Sequence, residues 1–152
     1  MQGGLRSALV NVLWIDSEPS VRHFGRKLLS GFSGLEFFES GSKDEALDVL
    51  SRNQIDLVLV EIALSRDTRN RDGQILIKHI HDNTSAIPVV VSSVSEVVEI
   101  TTAMRNGAYD YILKESFSNE ILESLVERIQ SGMALRKHRQ QKIASTDPSE
   151  DG

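Results

Sequence analysis

Along this chain, short apolar runs alternate with stretches in which apolar residues recur every three or four positions. The densest run is Ile55-Asp56-Leu57-Val58-Leu59-Val60-Glu61-Ile62. Near-continuous β-branched and Leu residues over this length predict a parallel strand covered on both faces. The run ends by delivering one carboxylate, Glu61.

The rest of the pattern falls around that strand. Leu9 to Ile15 predicts a first strand, and Asp16-Ser17-Glu18-Pro19 opens a helix with Pro in its first turn. That helix carries Val21, Phe24, Leu28 and Phe32 on one face, and Gly31 and Gly34 end it. Leu35 to Phe38 predicts a short second strand. Ser42-Lys43-Asp44-Glu45 matches a capping box ahead of a helix with Ala46, Val49 and Leu50 inward. The polar stretch Ser65 to Gly73 predicts a long loop, and Ile75, Leu76 and Ile80 a third helix. Ile87 to Val91 predicts a fourth strand with Pro88 at its start, where strands admit it. Ser95 is placed to cap a fourth helix bearing Val98, Ile100, Ala103 and Met104, stopped by Asn106-Gly107. Tyr109 to Leu113 predicts a fifth strand. Ser118 then precedes a last helix with Ile121, Leu122, Leu125, Val126 and Ile129 inward.

Strands alternating with helices mean βαβ units and a parallel sheet, with right-handed crossovers placing helices on both faces. The expected fold is α/β: a flavodoxin-like three-layer (βα)5 domain over residues 9–130, with a five-stranded parallel sheet in the order 2-1-3-4-5. Residues 1–8 are expected to form a flexible leader. Residues 131–152 are expected to form a basic helix extension, Arg136 to Lys142, followed by a disordered tail or a linker to an output domain.

Composition narrows the function. There are no cysteines, so disulfides and Cys-ligated metals are excluded. No apolar run approaches the ~18–20 residues of a membrane span, and a cytoplasmic protein is expected. The net charge of −5 argues against direct nucleic-acid binding by this domain. His79 and His81 are two apart and do not share a helical face, so they make no metal pair. Arg66, Arg69 and Arg71 read as a solvated charge cluster.

In a sheet of this order the working site lies beyond the carboxyl ends of the strands. The residues there are Asp16, Ser17 and Glu18 after the first strand, Glu61 at the end of the third, Ser93 after the fourth and Lys114 after the fifth. Acids, a hydroxyl and an ammonium together make a polar pocket. The segments Val12 to Pro19, Asp56 to Glu61, Asp72-Gly73, Ile87 to Ser93 and Gly107 to Lys114 carry these residues in order. Together they resemble the receiver domain of two-component response regulators.

That resemblance implies a signalling domain rather than an enzyme. In the family an aspartate at the end of the third strand accepts a phosphoryl group, and an acidic pair after the first strand holds Mg²⁺. A Ser or Thr, a Lys and an aromatic residue sense the phosphoryl group, positions matched here by Ser93, Lys114 and Tyr111. The departures lie where the chemistry is. Glu61 holds the phosphoacceptor position, Ser17 replaces the second acid, and Lys114 is followed by Glu115 instead of proline. The loop to Asp72-Gly73 is also longer than usual.

Mg²⁺ binding is therefore expected to be weak or absent, since a hydroxyl replaces a charged ligand. A longer carboxylate at position 61 disturbs in-line phosphoryl transfer. The leading expectation is a pseudo-receiver that works through protein contacts, with no cofactor. Its partner is another protein, an output domain or a second copy, met through the face of helix four, strand five and helix five. The alternatives are a receiver phosphorylated on Asp16 or Glu18, and a flavodoxin-like nucleotide or flavin binder. The acidic first turn, which lacks a Gly-rich anion cradle, disfavours the latter.

Overall fold

The structure is a computed structural model and describes residues 9–144, with side chains up to residue 132. The expected leader over 1–8 and the end of the tail, 145–152, lie outside the described residues. Five strands and five helices alternate. They are β1 (Val10–Ile15), α1 (Pro19–Ser30), β2 (Leu35–Ser40), α2 (Lys43–Arg52), β3 (Leu57–Val60), α3 (Asp72–Asn83), β4 (Ile87–Ser92), α4 (Val97–Arg105), β5 (Asp110–Leu113) and α5 (Asn119–Ala144). The chain forms two compact units, divided after Asn119. The first holds the sheet and α1 to α4; the second holds the α5 residues from Glu120 onward.

The sheet is parallel throughout, in the order β2-β1-β3-β4-β5. β3 is its centre, and all four of its residues are buried. That is why its sequence is continuously apolar instead of alternating. Leu13, Ile15, Val58, Val60, Val90, Leu76, Ile77 and Ile80 belong to one core cluster that joins β1, β3 and β4 to α3.

Caps and close approaches set the helices. Ser42 accepts the Glu45 N–H at 3.2 Å, and Glu45 reaches back to the Gly41 N–H at 2.6 Å, which starts α2 as its sequence predicted. The α1 packing departs from the expected face. Gly25 and Leu29 are its buried residues, while Phe24 is 53% exposed. The cause is Trp14 on β1, whose ring fills the space under Gly25: a Cβ there would lie 2.6 Å from the ring. The helix meets the sheet through its glycine, and the neighbouring Phe24 is turned outward.

Three further expectations are corrected. α4 begins at Val97 with Glu96 at its N-cap and no side-chain cap bond, so Ser95 is not its cap. Val98 and Met104 are exposed, and Ala103 is the buried residue of that helix. The helix after the long loop starts at Asp72, inside the stretch read as loop. Leu122, Leu125, Val126 and Ile129 of α5 are buried at the expected spacing.

Candidate functional site

β1, β3 and β4 end side by side, and the residue at or just past each end turns into one small polar pocket. Glu61 follows β3, held by its N–H donating to the Ile15 carbonyl at 3.0 Å. Its side chain is only 3% exposed. One carboxylate oxygen meets Lys114 Nζ at 2.7 Å. The other accepts the Ala63 N–H at 2.9 Å and the Ser92 hydroxyl in a short hydrogen bond.

Asp16 follows β1 and is 1% exposed. Its Oδ1 accepts the Glu18 N–H at 3.0 Å and its Oδ2 meets Lys114 Nζ at 2.8 Å. Lys114 thus stands between two buried carboxylates and ties the ends of β1, β3 and β5 together. Burial works against the ammonium, but hydrogen bonds and charge from Asp16 and Glu61 outweigh it, and the Lys114 pKa is raised.

Not every expected residue enters the pocket. Ser17 and Glu18 are exposed, so of the acidic group only Asp16 is inside. Ser93 is exposed too, and the hydroxyl on Glu61 belongs to Ser92. The reason is strand parity. β4 runs one residue further than the apolar run implied, and a shift of one residue exchanges the two faces. Ser92 also accepts the Val94 N–H at 3.0 Å, and Tyr111 donates its hydroxyl to the Val94 carbonyl at 2.6 Å. Glu61, Ser92, Val94 and Tyr111 therefore form one chain of hydrogen bonds from β3 across the β4–α4 loop to β5. Tyr111 is half-buried, and burial is the main cause of its raised pKa, with the Glu61 charge adding to it.

Two residues of α3 frame the site. Gly73 packs on the main chain of Glu61 and Ile62: a Cβ would lie 2.5 Å from the Ile62 carbonyl oxygen. Gln74 donates to the carbonyl and carboxylate of Glu99, each at 3.1 Å, and accepts from Asn106 at 3.0 Å, holding α4 at both ends. Arg71 adds an ion pair to Glu99 at 2.9 Å.

The chain carries the receiver model's signature over most of its length. The family model for the response regulator receiver domain matches residues 12–126. The chain belongs to the receiver domain family. It is 29% identical to the transcriptional regulatory protein MalR of Bacillus subtilis over 140 residues, which cover 91% of this chain and 54% of MalR. It is 27% identical to the regulatory protein AtoC of Escherichia coli over 86% of this chain and 27% of AtoC. Among solved structures, a two-component response regulator from Clostridium difficile superposes with a TM-score of 0.72 at 27% identity, covering 82% of this chain and 98% of that one. NtrX from Brucella abortus superposes with a TM-score of 0.73 at 25% identity, over 88% of this chain and 29% of that one. The receiver spans about half the length of MalR and about a quarter of AtoC.

The donor set of this receiver does not fit the Mg²⁺ its family implies. Mg²⁺ requires near-ideal octahedral oxygen coordination. Here Asp16 Oδ1 accepts the Glu18 N–H, and Glu61 Oε2 accepts the Ser92 hydroxyl and the Ala63 N–H. Asp16 Oδ2, which has no hydrogen bond, and Glu61 Oε1 face the Lys114 ammonium at 2.8 and 2.7 Å, which a cation would have to displace. Ser17 offers an exposed hydroxyl where a second carboxylate would stand, and no cluster of three or more metal-ligating side chains occurs among the described residues. Adding Mg²⁺ is expected to leave the melting temperature unchanged. A site with Kd a hundredth of the Mg²⁺ concentration would add about 2.7 kcal/mol, a rise of several degrees. A rise of that size would contradict this assignment.

Proposed function

We propose that this receiver signals through protein contacts without accepting a phosphoryl group, and that Glu61 sets its switch permanently. The observation that carries the proposal is the state of the Glu61 carboxylate. It is buried, paired with Lys114, and filled on both oxygens by Lys114, Ser92 and Ala63. Three donors crowd its two oxygens, so a phosphodonor or a metal would have to compete with Lys114 for Oε1 and with Ser92 and Ala63 for Oε2.

The same contacts support a set switch. The negative charge that a phosphoryl group would bring is already present as one carboxylate, smaller than the ~−1.5 to −2 of a phosphate. It holds the Ser92 hydroxyl, and the Ser92–Val94–Tyr111 chain passes that position on to the start of α4. Val97 and Val98 there are 76% and 72% exposed and give the loop's end an apolar surface for a partner. The partner is another protein or an output domain of a longer chain. The relatives named transcriptional regulators are longer, with 54% and 50% of their length matched by this chain.

The test is incubation with acetyl phosphate and Mg²⁺, read by intact mass. The expected spectrum is the unmodified protein alone. A stoichiometric adduct of one phosphoryl group would overturn the proposal, and its mapping to Glu18 or Asp16 would favour the receiver that uses an alternate acid.

A further inference from the structure

A cavity of about 240 Å³ shares Lys114 with the acid pocket. Its walls are three aromatic rings, Trp14, Phe24 and Phe117, backed by Val21 and Val91. Its polar lining is Ser20, at the first turn of α1, and Lys114. The shape follows from Gly25. With no side chain at that position, the Trp14 ring lies under α1, edge-on to Phe117 at 5.4 Å and 81°. Phe24, displaced outward, stands as a half-exposed wall instead of filling the space.

The lining selects the ligand. Aromatic walls favour a flat ring, which they meet by offset stacking or edge-to-face contact. An engineered apolar cavity of ~150 Å³ holds benzene, so this space suits one substituted ring or a small bicycle. Charge is disfavoured in both signs. Lys114 is already held by Asp16 and Glu61, and the three charges sum to −1, so its ammonium offers an anion no net attraction. A cation would have to sit against the Lys114 ammonium. An acceptor is favoured, because Lys114 lines the cavity, a lysine carries three N–H donors, and its contact with Asp16 Oδ2 is an ion pair without a hydrogen bond.

The geometry points to a binding site for an uncharged, flat aromatic molecule of one or two rings bearing a hydrogen-bond acceptor. Through Lys114 the occupant acts on the acid pocket, a coupling that rests on the switch reading above.

The probe is 2-naphthol, with naphthalene-2-sulfonate as the anionic control. Trp14 is the only tryptophan, so its indole N–H gives a single assignable peak in the ¹⁵N-labelled protein. 2-Naphthol is expected to move that peak saturably, and the sulfonate to leave it in place. Phe24→Ala should weaken the effect about tenfold, as expected for loss of an aromatic wall. Ser20→Phe, at an exposed position on the rim, should abolish it while the rest of the spectrum stays folded. The Val94 amide should move with the same midpoint. An unmoved Trp14 peak, an equal response to the sulfonate, or full binding by both variants would overturn the site. A Trp14 peak that shifts with protein concentration alone would assign the cavity to a second copy and also overturn it. A silent Val94 amide beside a moving Trp14 peak would overturn the coupling. A phosphoryl adduct in the mass experiment would remove the switch reading and leave the Trp14 result standing, so the two failures are distinguishable.

Discussion

Lys114→Ala is expected to destabilise the fold by about 3 kcal/mol, lowering the melting temperature by roughly 6–12 °C. Breaking a buried ion pair from one side typically costs ~3–5 kcal/mol, because the partner charge stays buried without compensation. Here two carboxylates are left, at 1% and 3% exposure, facing each other. The Lys114 side chain is 26% exposed, so water partly replaces it and the effect falls at the low end of that range. Glu61→Gln should be milder, about 1–3 kcal/mol. A glutamine has one acceptor oxygen where the carboxylate offers two, so its NH₂ must face either Lys114 or the Ser92 and Ala63 donors together. Because both changes act on one contact, the double variant should fall short of the sum; additive effects would mean the two residues do not interact. The pH dependence has a definite sign. A lysine whose folded pKa is raised contributes stability that is present below its unfolded value of ~10.4 and lost as pH rises through the folded value. The wild type should therefore lose stability above about pH 10.4 by more than Lys114→Ala does.

Gly73→Ala is expected to destabilise by about 3 kcal/mol, the top of the usual range for overpacking. The sign is the informative part. Glycine to alanine inside a helix normally stabilises by roughly 0.5–1 kcal/mol. Here the new methyl would meet the main chain of Glu61 and Ile62 at 2.5–2.8 Å, and main chain in a buried strand end cannot swing aside as a side chain can. Either α3 moves off the sheet or the Glu61 backbone shifts, and both disturb the pocket. Thermal melts of Gly73→Ala and of Gly132→Ala, where a Cβ meets nothing within 4 Å, separate this contact from general helix propensity. Equal or raised stability in Gly73→Ala would remove the close approach from the account.

How far the sequence disclosed this site depends on which residues are considered. The alternation of strand and helix was legible because each buried strand had to be continuously apolar and each helix had to repeat at three and four. Glu61 was legible as the end of the densest apolar run. Asp16 and Lys114 were legible because strand order places their strand ends beside it. Ser92 was not, because adjacent serines differ only in which face of β4 they occupy, and the apolar run ended one residue early. Ser17 and Glu18 were grouped with Asp16 by position in the chain, although turns at strand ends point successive side chains in different directions. Gly73 and Gln74 left no periodic signal: their roles depend on what a distant segment brings within reach. Phe24 read as core because its spacing was right, and only the Trp14 ring under Gly25 makes it a wall.

The most direct measurement of the central claim is the exchange rate of the Val94 amide proton. That N–H donates to the Ser92 hydroxyl, which in turn is held by Glu61. If Glu61 sets the switch, Val94 should be protected in the wild type, its protection should not change with acetyl phosphate and Mg²⁺, and it should exchange faster in Glu61→Gln while β1 and β3 amides keep their rates. A Val94 amide that is unprotected in the wild type and becomes protected on adding phosphodonor would contradict the account.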